Sequence, residues 1–142
     1  MSENLLKNAD KSGVFHLVST QQPTIETAAC HARFRVLKAD IAKHASTQDV
    51  LVQLGSALNF PIWYGANFDA LYDCLTTPDW EPATGHVLFI NGLARLRSSS
   101  PADFATLIEV FRSVADARRA AHSPFWILID APARGVPTFA EA

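Results

Sequence analysis

Gly85-His86-Val87-Leu88-Phe89-Ile90-Asn91-Gly92 is the stretch on which the fold turns. Val87 to Ile90 form an unbroken apolar run of strand length, and Asn91-Gly92 closes it with a turn signal. Phe125 to Ile129, held between Pro124 and Asp130, repeats the pattern. Runs without polar alternation mark strands covered on both faces, as in parallel sheets. Between them a helix is expected from Pro101 to about Ala121, with Pro101 in its first turn and Phe104, Leu107, Ile108, Phe111 and Ala115 buried. Ser98-Ser99-Ser100 reads as the loop before it.

Upstream, strands are expected at Val14–Ser19 and Phe34–Ala39, with a short helix from Pro23 to Ala32 between them. Ser46 or Thr47 caps a helix that buries Val50, Leu51, Leu54 and Leu58 at helical spacing. Gly55 inside it costs a little stability. Asn59-Phe60-Pro61 ends that helix, Trp63-Tyr64-Gly65-Ala66 forms a loop, and Asn67 caps a second helix to about Leu75, stopped by Thr77-Pro78. Alternating strands and helices give an α/β domain with a three- to four-stranded, mostly parallel sheet packed by helices. The chain has 142 residues, 49% hydrophobic, enough for one domain over 14–142 after a loosely ordered 1–13.

Fourteen Asp and Glu against twelve Lys and Arg give a net charge of −2, which argues against direct nucleic-acid binding through a basic groove. The distribution is more informative. No Lys or Arg occurs between Lys43 and Arg95, a gap that holds Asp49, Asp69, Asp73, Asp79 and Glu81. The start of the chain has no signal-like apolar run, and no stretch is long enough to span a membrane. Cys30 and Cys74 therefore read as reduced thiols of a cytoplasmic protein.

On the helix after Asn67, Phe68, Leu71, Tyr72 and Leu75 form the core stripe, while Asp69 and Asp73 lie on another side. Two like charges at i, i+4 disfavour the free helix by a few tenths of a kcal/mol. With Trp63, Tyr64 and Trp80 nearby, they form either a solvated face beside core aromatics or an acidic patch for a cationic partner.

The run Leu58-Asn59-Phe60-Pro61-Ile62-Trp63-Tyr64-Gly65-Ala66-Asn67-Phe68-Asp69-Ala70-Leu71-Tyr72-Asp73-Cys74-Leu75-Thr76 resembles the signature loop and helix of the barstar family, intracellular inhibitors of ribonucleases such as barnase. The resemblance extends more loosely over 34–130, with 14–33 as an extension. It implies a barstar-like fold and a partner that is a basic ribonuclease or nuclease toxin, bound by a protein that is a monomer when free. By that resemblance Asp73 enters the nuclease active site where a substrate phosphate would sit, and Asp69 is a second acidic contact. Asn67 and Gly65 match loop contacts, Trp63 stands where tyrosine is usual, and Tyr72 replaces tryptophan. Phe68 and Trp80 complete the implied contact set. The family's glutamate on the later helix is replaced by Ser113, so Glu109 and Asp116 become the candidate rim acids. The alternative is an interaction module or immunity protein of this fold whose target is not a barnase-type ribonuclease.

Neither a catalytic residue nor a metal site is expected. The five histidines lack metal-ligand spacing and read as surface or helix-edge residues, and Cys74 as a packed helix residue. Nucleophile-elbow, dinucleotide and P-loop motifs are absent, so no cofactor is implied. Arg134-Gly135-Val136-Pro137 reads as a surface loop.

Overall fold

Along the strand His86–Asn91 successive side chains leave on opposite faces, and both faces are buried. Leu88 and Ile90 enter one apolar cluster, while Val87 and Phe89 enter a second. A computed structural model of the chain describes residue 6, residues 8–77 and residues 80–139. Its elements are β1 (Val14–His16), α1 (Gln22–His31), β2 (Arg35–Asp40), α2 (Thr47–Ala57), α3 (Phe68–Thr76), β3 (His86–Asn91), α4 (Ala94–Ser99), α5 (Pro101–Ala120) and β4 (Phe125–Ile129). The sheet has four strands in the order β1-β4-β3-β2, every pairing parallel. The expected α/β class is thus met, at the upper strand number.

One face of the sheet is packed by α2 to α5, whose buried residues include Leu54, Leu71, Leu107 and Phe111. On the other face lie α1, with Ile25, Ala28 and Ala29, and both ends of the described chain, through Leu6 and Phe139. Phe139 packs edge-on against Phe15 and Trp126. Its N–H donates to the His16 carbonyl at 2.7 Å, and His16 N–H donates to the Pro137 carbonyl at 2.8 Å. Residues 134–137 lie at the surface, as expected of a loop, and form a strap that leads to this buried anchor beside β1.

Leu6 is fully buried and Ala9–Lys11 form a 3₁₀ turn without buried residues, while 1–5 and 7 lie outside the described residues. Other expectations change. The first strand stops at His16 and Ser19–Gln21 turn as 3₁₀. Ser98 and Ser99, read as loop, belong to α4. The reason is distant in sequence: the Asp130 carboxylate accepts Gly92 N–H at 2.7 Å and Leu93 N–H at 3.2 Å, closing the turn that leads into this helix. Pro78, expected to stop α3, is outside the described residues, but the helix does end at Thr76.

His86 is the largest departure from the surface role expected of the histidines, for it is wholly buried. Its ring lies nearly parallel to those of Trp80 at 6.1 Å and Phe125 at 5.1 Å, which are 6.3 Å from each other, and the Arg118 guanidinium lies over the Phe125 ring. Nε2 lies 2.6 Å from the Glu81 carbonyl, so the neutral ring carries its proton there, leaving Nδ1 without a partner. Burial holds its pKa below the ordinary 6.5; nearby Arg118 and Arg35 act the same way, against the opposing pull of Glu81. The unfolded chain therefore binds the proton first as pH falls. The stability contributed by His86 is complete above about pH 6.5 and declines as pH falls through that value towards the folded pKa. Urea unfolding from pH 8 to pH 5 should show this loss, and His86→Gln should flatten it; identical pH slopes would remove His86 as its source.

Candidate functional site

The loop between α2 and α3 is built to be stiff. The Tyr64 hydroxyl donates to the Leu51 carbonyl at 2.7 Å, and its ring meets Phe60 edge-on at 4.8 Å. Phe60 in turn packs against Trp80, whose indole N–H donates to the Leu58 carbonyl at 2.9 Å. Burial raises the Tyr64 pKa well above its ordinary 10, so the hydroxyl remains a donor at neutral pH. Gly55 explains itself here. A Cβ on it would stand 2.6 Å from the Tyr64 ring, so the absent side chain lets that ring lie on the α2 backbone. Ala66 adopts a left-handed φ of 52°, a strain of about 1–2 kcal/mol that the surrounding contacts sustain.

Gly55→Ala gains up to about 1 kcal/mol of helix propensity. It loses about 1–3 kcal/mol to overpacking, because Tyr64 is held at both ring and hydroxyl. The expected outcome is a net destabilisation in urea unfolding with a displaced loop; a more stable variant would show that Tyr64 swings aside freely.

The helix that follows is fastened at both ends. Asn67 Oδ1 accepts Ala70 N–H at 2.8 Å, the N-cap expected from sequence. Gly65 leaves room for that cap, since a Cβ there would lie 3.1 Å from the Asn67 amide nitrogen. At the far end Arg118, only 6% exposed, donates through Nε to the Leu75 carbonyl at 2.8 Å and through Nη2 to the Thr77 carbonyl at 3.3 Å. A buried guanidinium at the end of α3 suits the negative end of its dipole. Its position among Leu107, Phe111 and Val114 on the apolar stripe of α5 is the signal by which sequence could have found it.

Between these fastenings Leu71, Cys74 and Leu75 are buried, Phe68 and Tyr72 are half-buried against the core, and Asp69 and Asp73 are exposed. Cys74 carries a thiol pushed up to about 11, chiefly by burial and then by Asp73, so it remains protonated. Among the described residues neither Asp69 nor Asp73 enters an ion pair. Both line one open groove of about 610 Å³, together with Trp63, Gly65, Asn67 and Phe68. Six of the eight contact residues anticipated from sequence thus share this groove; Tyr72 sits beside it on α3. Trp80 does not belong with them. It is 7% exposed and serves as core under the loop, where its ring packs against Phe60, His86 and Phe125. Ile62 was missed: it is fully exposed next to Trp63, itself 54% exposed, and Pro61-Ile62-Trp63 lacks any helical or strand periodicity that would bury it.

Charge in this region is also redistributed by the fold. Glu81 pairs with Arg35 at 2.7 Å, so the acidic gap is partly neutralised from outside it, and Asp79 lies outside the described residues. The rim candidates Glu109 and Asp116 pair with Arg112 at 2.8 Å and Arg119 at 3.1 Å on their own helix. Neither they nor Ser113 borders the groove. Arg112 and Arg119 also donate to the carbonyls of Arg134 and Ser12. The basic character of α5 is thereby spent on internal contacts.

No group of three or more metal-capable side chains converges among the described residues, and none of their helices is long and apolar enough to cross a membrane. Comparison with curated proteins finds no match. A family model described as Barstar (barnase inhibitor) matches residues 34–130, well over half of the chain and the whole of the groove.

Proposed function

The chain belongs to the barstar family, and from that premise we propose that it binds a basic ribonuclease or nuclease toxin and blocks its active site. The observation that carries this reading is the groove itself: two exposed carboxylates, without an ion pair among the described residues, beside Trp63 on a helix anchored at both ends. Asp73 and Asp69 take the place of substrate phosphates at cationic side chains, where charge-assisted hydrogen bonds to Arg or Lys are strong. Trp63 and Tyr72 exclude water around those bonds. Pre-ordering of the loop and α3 lowers the entropy lost on association. The acidic surface would also accelerate encounter with a basic partner, an effect for which the barnase–barstar pair is itself a reference case. The direct test is whether the purified chain inhibits barnase in a ribonuclease assay, and whether that inhibition weakens with salt.

One observation favours a second reading. Ser113 supplies no acid, and Glu109 and Asp116 are committed to arginines away from the groove. A target whose rim lacks the matching cation would fit this surface better than barnase. Inhibition of another basic nuclease, with barnase left active, would select that reading.

A further inference from the structure

The segment after β4, the N-terminal half of α5 and Arg97 of α4 line a second, half-open cavity of about 470 Å³ that shares no residue with the acidic groove. Its volume is in the range of small-molecule sites. Buried Phe104 and Ile108 form the floor, with Pro101 and Ala105 beside them and Pro132 and Ala133 opposite. Polar side chains occur only as charged groups: Arg97, Arg112 and Arg134 against the single carboxylate of Glu109.

Two of the guanidiniums are held in place by the opposite wall. Arg97 Nη1 donates to the Pro132 carbonyl at 2.9 Å, and Arg112 Nη2 to the Arg134 carbonyl at 3.1 Å. Arg112 Nη1 donates to Glu109 at 2.8 Å. A guanidinium has five N–H donors, so both retain donors beyond these bonds. Gly135 has a φ of +77°, and a Cβ on it would stand 2.8 Å from Arg112 Nη2; the glycine admits the arginine to the wall. The wall, Pro132–Gly135, lies beyond the family match, which ends at residue 130. An apolar cavity with a cationic surplus complements a hydrocarbon body with one anionic head, and the planar guanidinium fork suits a carboxylate.

We propose that this cavity binds a free amphipathic monocarboxylate, its hydrocarbon body against Phe104, Ile108 and Pro132 and its carboxylate on Arg97 and Arg112. The probe is decanoate, titrated calorimetrically below its micellar concentration into the full chain. Saturable one-to-one binding is expected. Each buried methylene contributes about fourfold in affinity, so hexanoate should bind at least roughly tenfold more weakly. Decyltrimethylammonium, with the same tail and the opposite charge, should also bind at least roughly tenfold more weakly. Ala105→Trp, at an exposed lining position, should obstruct the cavity and abolish binding without changing the thermal midpoint. The double variant Arg97→Gln, Arg112→Gln should weaken decanoate and leave the cationic amphiphile unchanged, and it serves as the second measurement if the tryptophan variant folds poorly. Absence of saturable decanoate binding, equal binding of the cation, or binding that survives either variant would overturn the proposal. So would a preference for acetyl-Phe-Leu with a free carboxylate, which would assign the cavity to a chain terminus instead.

Discussion

On the proposed function, Asp73→Ala should weaken binding to barnase, or to another basic nuclease that proves to be the target, by more than about 2 kcal/mol, roughly thirtyfold in affinity. That is the general hot-spot threshold, for which barnase–barstar is itself a reference case. The same variant should fold at least as well as the parent. Asp73 is exposed, makes no ion pair among the described residues, and faces Asp69 one turn away. Its removal relieves a repulsion of about 0.2–0.5 kcal/mol and replaces a poor helix former with the best one, a further gain of about half a kcal/mol. Loss of affinity with unchanged or increased stability is the signature of a side chain kept for a partner. A variant that bound as tightly as the parent would end the phosphate-mimicry model. One that lost affinity only because it unfolded would be recognised by its urea midpoint. Asp69→Ala should act in the same direction.

Phe139→Ala should lower folding stability by about 3–5 kcal/mol, the range for a buried phenylalanine. Phe139 is 1% exposed and closes the face of the sheet opposite α3, against Phe15 and Trp126. The acidic groove is built on the other face, by α3 and the loop that precedes it. Urea unfolding should therefore register a large loss, while the affinity of the remaining folded protein for the proposed nuclease partner changes little. A loss below about 1 kcal/mol would mean that the strap detaches without consequence and that the second core does not depend on it. The family match ends before this residue and begins after β1 and α1. The experiment therefore asks whether the flanks are part of the cooperative unit.

Much of this was legible in the linear chain. The unbroken apolar runs at 87–90 and 125–129 could be satisfied only by burial on two sides, which determined a parallel sheet with two covered faces. Asn67 and the spacing of Leu71 and Leu75 set the α3 start and its buried side, and so left Asp69 and Asp73 outward. Local rules reached that far because capping and periodicity act within one or two turns. Only the tertiary structure decided the rest. Trp80 is buried under the loop because Phe60, His86 and the Leu58 carbonyl, remote or unreadable as partners, converge on it. The arginines of α5 ceased to oppose an acidic surface because carbonyls of Leu75, Thr77, Ser12 and Arg134, from three different parts of the chain, accept their protons. Net charge is a property of sequence, but the field at a groove depends on which charges are already paired. That pairing is set by contacts between residues far apart in the chain.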